Sequence, residues 1–426
     1  MKGWSEMLPT TKFAPLPPYA KKIDSGVTHP AGFLSAGVAS GVKKCGKLDL
    51  GIVMSEAPSV SAATFTGNAA AAAPVRLTRE TGDCAHLRAV VVNAGNANAC
   101  TGKQGLADAA RMRLLAANHL RLPVEQVAVA STGLIGVHLP MDKIEAGIGA
   151  AAGTMGAGAS PAAAADDFAL AIRTTDKHAK SGALEVRLPE GLVRLGFAAK
   201  GCGMISPDMA TMLCFVTCDA AVTAEAWAEL MHGAVAASFN RITVDGQEST
   251  NDTVLGFCNG ASGVEPGAAG LARLGEVLQA ALLSLAVSIV ADGEGSTRTM
   301  RLTVTGARDG DEAECVARAV ANSPLVKTAF YGRDPNWGRI MQAIGQALGR
   351  DGRHALPARI AYEDLVIVEH GQQAALDGVQ QGRLTEVMHQ PEIDLTVALN
   401  GPGAEAIVYF SDLTHDYVTL NAEYST

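Results

Sequence analysis

The chain is 426 residues long, with 48% hydrophobic residues, 18% charged residues and a formal net charge of -9. This composition supplies a sizeable core and excludes long disordered stretches. Without a lysine- or arginine-rich run, an acidic chain is a poor partner for nucleic acid, and its charge suits a soluble cytoplasmic protein.

The opening MKGWSEMLPTTKFAPLPPYAKK has no apolar run before a small-residue cleavage site, so it does not read as a secretory signal. Residues 1–30 read as a loosely structured lead-in, broken by Pro15, Pro17 and Pro18. Short strands and turns are expected from Gly32 to about Val75. Arg88 to Asn93 (RAVVVN) reads as a buried strand feeding a loop, Leu106 to Leu120 as a helix and Gln126 to Ala130 as another buried strand. The alanine- and glycine-rich stretch 146–165 predicts a short helix and a turn, followed by a helix over 163–173.

Further on, strands are expected at 195–200 and 211–218. Helices follow at about 223–237, 270–290, 311–321 and 336–348, and strands near 302–306, 360–367, 393–399 and 405–410. The mixture predicts an α/β or α+β fold with sheets packed against helices. The most apolar helical run, Val277 to Ala291, is read as too short to span a bilayer, so no membrane partner is expected. The eight cysteines form no CxxC pair, which suggests a reducing compartment and buried, inert thiols. The ten histidines show no metal-ligand spacing.

The passage Lys200 to Ala220, KGCGMISPDMATMLCFVTCDA, runs from a glycine-bearing loop into a strand that is apolar on both faces and opens with Thr211. A threonine at such a junction can attack the carbonyl of Ala210 and form an ester that water hydrolyses. Thr211 then keeps a free α-amine beside its own hydroxyl. Such an amine titrates near pH ~8, low enough to serve as the base that activates the hydroxyl. On spacing alone, a β-branched residue opening a core strand is the simpler reading.

KGCGMISPDMATML resembles the signature of the ornithine acetyltransferase family, the bifunctional glutamate N-acetyltransferases of arginine synthesis. The resemblance extends in order through VVNAGNANACTG (Val91–Gly102), STGLIG (Ser131–Gly136), FNRITVDG (Phe239–Gly246), STNDT (Ser249–Thr253), DGEG (Asp292–Gly295), GRDPNWGRI (Gly332–Ile340) and NAEYST (Asn421–Thr426). It implies cleavage between Ala210 and Thr211, giving fragments 1–210 and 211–426, the second including a smaller C-terminal domain from about residue 300.

The resemblance further implies Thr211 as nucleophile, Thr132 and Gly133 as oxyanion hole, and substrate contacts from Thr174, Lys200, Thr211, Glu294, Asn421 and Thr426. Spacing to Lys200 favours Thr174 over Thr175. Without the family, Thr132-Gly133 would pass as an ordinary strand-end turn. The implied reaction moves acetyl from N-acetylornithine to glutamate. No metal or bound cofactor is needed, acetyl-CoA is a possible co-substrate, and two copies of each fragment assemble. The chain departs from the family pattern at FTGNAAAAAPV, at Cys202, and at Gln247-Glu248 after VDG. A self-processing amidohydrolase or aminopeptidase, and a non-catalytic binding protein of the same fold, stand as alternatives.

Overall fold

The computed structural model describes residues 8–157, 160–206, 212–349 and 358–423. It is a mixed α/β fold divided into two units. Of the described residues, the first comprises those up to 240 and 248–289, and the second comprises 241–247 and those from 290 to 423.

In the first unit, β-branched and alanine-rich runs build two sheets. The four-stranded sheet has the order Phe33–Val38, Leu50–Ser55, Ala89–Asn96, Val127–Leu134, and its last two strands run parallel. The six-stranded sheet has the order Ala20–Ile23, Lys180–Arg187, Leu192–Lys200, Leu213–Cys218, Thr253–Cys258, Val60–Phe65. The two sheets share one core. Val90, Val92, Ala128 and Ala130 of one meet Leu213, Phe215, Leu255 and Phe257 of the other, with Phe168 of the helix Pro161–Ala171 among them. Phe168 stands edge-on to Phe215, ring centroids 5.4 Å apart, a geometry that adds to its burial.

Alternation along each strand sends the other residues outward. Ile52, Val91 and Val129 pack on the helices Gly102–Leu120 and Met141–Thr154 through Met112, Ala116, Ile144 and Ile148. On the far face of the six-stranded sheet, the helix Ala224–Ala236 docks through Trp227, whose indole N–H donates to the Gly256 carbonyl at 3.0 Å. The resulting order of layers is helices, sheet, sheet, helices.

The second unit is built on a seven-stranded sheet in which Thr299–Ala307 lies between Glu392–Ala398, to which it runs parallel, and Ala404–Ser411, to which it runs antiparallel. The two-residue strand Ile242–Thr243 pairs with Ala404–Ser411, which is why residues 241–247 belong here. Phe330 of the helix Pro324–Tyr331 packs against Tyr362 and Phe410.

Several expectations need correction. Residues 8–30 are not a loose lead-in: Leu8, Phe13 and Val27 are buried, and Ala20–Ile23 pairs with Lys180–Arg187. The apolar helix is longer than its sequence suggested, Ala268–Ala291, long and apolar enough by composition to cross a membrane. Its Leu274, Val277, Leu278, Ala281, Leu282 and Leu285 are instead buried within the protein. The segment 360–367 is two strands, Arg359–Tyr362 and Leu365–Glu369, folded into a hairpin. Cys45, Cys100 and Cys315 are exposed rather than buried, although all eight cysteines are free thiols.

Candidate active site

The parallel strands Ala89–Asn96 and Val127–Leu134 end side by side, with Ala94 opposite Thr132 and Gly95 opposite Gly133. Gly133 adopts φ +132°, a conformation that L side chains avoid, and a Cβ there would lie 2.4 Å from the carbonyl carbon of Gly95. Two backbones therefore touch at the strand end, and only glycine permits the contact.

Across the core, the strand Leu192–Lys200 ends on Lys200, paired with Leu213, which in turn pairs with Thr253. Lys200 is buried, 2% exposed, and its Nζ donates to Thr132 Oγ1 at 3.1 Å. Because that bond occupies an oxygen lone pair, the Thr132 hydroxyl hydrogen remains available to donate, and the neighbouring cation strengthens it as a donor.

A buried ammonium needs a counter-charge. Asp176, fully buried, supplies one: its Oδ1 accepts from Lys180 Nζ at 2.8 Å and from the Gly201 N–H at 2.6 Å, and its Oδ2 accepts from the Thr174 N–H at 3.1 Å. Burial alone would raise this carboxyl's pKa. The charges of Lys180 and Lys200 and the Gly201 N–H overcome that effect and hold it well below the ordinary carboxylate range. One carboxylate thus ties the turn carrying Thr174 to the residue after Lys200. The neighbouring Cys202 thiol lies 2.9 Å from Thr175 Oγ1. Burial, with the charge of Asp176 adding to it, pushes its pKa up to about 12. It is a structural thiol and not a nucleophile at neutral pH.

Two further buried groups close the site. Asn251 Nδ2 donates to Ala97 O at 2.7 Å and to Ser131 O at 2.8 Å, so the loop before Thr253–Cys258 clamps the backbone next to Thr132. Asp252 Oδ1 accepts the Met212 N–H at 2.9 Å.

In the second unit, Asn421 Nδ2 donates to Glu294 Oε2 at 2.8 Å and to Tyr417 O at 3.0 Å. Gly295, at φ +74°, lies so close to this helix that a Cβ would meet the Tyr417 nitrogen at 2.6 Å. Desolvation, with Asp245 and Glu294 nearby, pushes the Tyr417 phenol up to about 12.

Of the residues expected from the sequence, Thr132, Gly133, Lys200 and Thr174 are linked in the first unit, and Glu294 and Asn421 in the second. Ala210, Thr211 and Thr426 lie outside the described residues. Sequence reasoning missed Asp176, Lys180, Asn251 and Asp252. The TTDKHAK and STNDT segments carried them, yet nothing in either shows that their side chains are buried and aimed at distant strands.

A hydroxyl beside a buried lysine at the end of a rigid strand is chemically suited to donate to the alkoxide that forms when an acyl carbon is attacked, as acyl transfer requires. The model of the ArgJ family matches residues 34–426, and the chain belongs to that family. It is 44% identical to "Arginine biosynthesis bifunctional protein ArgJ" of Symbiobacterium thermophilum over 408 residues, 94% of this chain and 98% of that one. It is also 44% identical to the protein of the same name from Nitratidesulfovibrio vulgaris, over 93% of this chain and 98% of that one. Among solved structures, ornithine acetyltransferase from Mycobacterium tuberculosis, complexed with ornithine, is 42% identical over 44% of this chain and 98% of that chain, with a TM-score of 0.40. The chain is an acetyl-transferring enzyme of arginine biosynthesis.

Proposed function

We propose that the chain splits between Ala210 and Thr211 and that Thr211 then carries the acetyl group from N2-acetylornithine to glutamate. The observation behind this reading is the buried Lys200–Thr132 hydrogen bond, on a strand whose last residue pairs with Leu213, two positions beyond Thr211. The Thr211 amine takes the hydroxyl proton, and Oγ attacks the acetyl carbon. The charge on its oxygen falls to Thr132 and Gly133, one such donor typically lowering the barrier by about 3 kcal/mol. Ornithine leaves, glutamate takes its place, and the acetyl ester is passed to the glutamate amine.

Thr174, Lys200, Glu294, Asn421 and Thr426 hold the substrates, Glu294 suiting a cationic side chain. No metal or bound cofactor enters the reaction, and acetyl-CoA is an alternative donor. The working assembly holds two copies of each fragment, in the cytoplasm.

Mass spectrometry of the purified protein tests the reading: two fragments meeting at 210/211 are expected in place of one 43.8 kDa chain. Thr211→Ala should remain whole and transfer no acetyl group, and an active, cut Thr211→Ala protein refutes the nucleophile. Release of ornithine at the same rate with and without glutamate would make the enzyme a hydrolase instead.

A further inference from the structure

The loop between Phe33–Val38 and Leu50–Ser55 contains SGVKKCGKLD, residues 40–49, which sets Lys43, Lys44 and Lys47 close together in a chain of net charge -9. One buried carboxylate pins this loop from inside. Asp49 accepts the Ser40 N–H at 2.6 Å, the Ser40 hydroxyl at 2.8 Å, the Gly41 N–H at 3.1 Å and the Lys43 N–H at 2.8 Å. Four donors saturate a carboxylate. The loop also lies against the strand end described above. The Ala94 N–H donates to the Asp49 carbonyl at 2.8 Å, and a Cβ on Gly95 would meet Lys43 Cγ at 3.2 Å. Ala94 and Gly95 are the residues paired with Thr132 and Gly133.

Folding brings further cations to the loop. Lys143, from the helix Met141–Thr154, donates from Nζ to the Gly41 carbonyl at 2.7 Å. Lys43 Nζ donates to the carbonyls of Leu48 at 2.6 Å and Ala171 at 3.4 Å, which carries it toward Arg173. Burial pulls the Lys43 ammonium down to about 8. Asp49 opposes that fall, and the charges of Arg173 and Lys200 deepen it. Lys44 and Lys47 are exposed, and among the described residues neither they nor Lys143 pairs with a carboxylate. Cations gathered in this way repel one another, and a bound anion relieves the repulsion.

We infer that this loop binds the phosphate groups of an acetyl-CoA donor, with Lys44 and Lys47 meeting them at its exposed end while the acetyl group lies toward Thr132 and Gly133. The role rests on the proposed use of acetyl-CoA as an alternative donor. Chemistry favours this ligand over the two amino acids. N-acetylornithine and glutamate are short, and their only anions are carboxylates. Acetyl-CoA holds its acetyl group at one end of a long flexible arm and its negative charge at the other, so it spans from the strand end to the loop tip. Lysine meets phosphate as a point charge and needs no fixed fork geometry.

Initial rates of glutamate acetylation by N-acetylornithine, acetyl-CoA and S-acetylpantetheine test the site. The last keeps the thioester and its arm but has no phosphate. In a Lys44→Glu, Lys47→Glu double variant, kcat/KM for acetyl-CoA should fall roughly 10-fold or more, through KM, toward the value for S-acetylpantetheine. Rates with the other two donors should keep their native values. An unchanged acetyl-CoA rate overturns the site. An equal fall with all three donors overturns it too, since the loop would then serve only the fold.

A native chain that uses N-acetylornithine but neither thioester overturns the site and the use of acetyl-CoA, and leaves the transfer from N-acetylornithine standing. A native chain inactive with every donor overturns the whole reading. Salt gives a measure that needs no variant. Added sodium chloride should lower native kcat/KM several-fold more for acetyl-CoA than for S-acetylpantetheine, because screening acts on the phosphate contacts. Parallel salt curves overturn the site.

Discussion

At the strand end that holds Thr132, two glycine backbones press together, and this contact carries a sharp prediction. A Cβ at 133 would sit 2.4 Å from the Gly95 carbonyl carbon, in a conformation costly for any L side chain. Gly133→Ala should move the donor pair apart and lower kcat by roughly 100-fold or more with little change in KM, because the lost interaction belongs to the transition state. Steady-state kinetics of the folded variant would check this, and unchanged kcat would remove Gly133 from the site. Asp176 makes a prediction of a different kind. Its folded pKa lies below the unfolded value of roughly 4, so its contribution to stability is full at neutral pH and is lost as pH falls through the acid range. Melting temperature against pH should therefore drop less steeply for Asp176→Asn than for the native chain, from a lower starting point. Parallel curves would mean that the carboxylate is not the linked group.

Among the elements, the loop before Thr253–Cys258 joins the two sheets of the first unit. Asn251→Leu would remove the side-chain donor that the carbonyls of Ala97 and Ser131 share, and losing a buried donor of this kind costs about 1–3 kcal/mol. The expected result is a lower melting temperature together with lower activity, since the backbone beside Thr132 loses its clamp. A variant with native stability would show that the clamp is dispensable. The elements that sequence reading found and those it overlooked differ in a physical way. Leu213–Cys218 and Ala89–Asn96 are continuous apolar runs, buried on both faces, and were legible. Lys180–Arg187 (KSGALEVR) mixes charge with small residues, and its burial comes from neighbouring strands on either side. The helix His415–Glu423 has no apolar face, and Asn421 and Thr414 tie it down by hydrogen bonds to Glu294 and Gly295. Hydrophobic period cannot reveal such an element.

For the whole molecule, the proposed scission has a consequence for assembly. In the six-stranded sheet, Leu213–Cys218 and Thr253–Cys258 lie after the cut, yet they are flanked by Leu192–Lys200 on one side and Val60–Phe65 on the other, both from before it. The fragments are woven through one sheet and one core. They should co-elute under native conditions and separate only in denaturant, which size-exclusion chromatography followed by denaturing gels would show. Fragments that part without denaturant would contradict this topology.

The sequence by itself determined the class of fold and the family, because apolar runs and contiguous motifs are local properties of a chain. Tertiary structure alone decided which buried polar groups meet. Lys200 reaches Thr132 across 68 positions, and Asp252 reaches Met212 across 40. Strand order and register set those distances, and periodicity reports only which face a residue occupies, never the partner that waits on the other side.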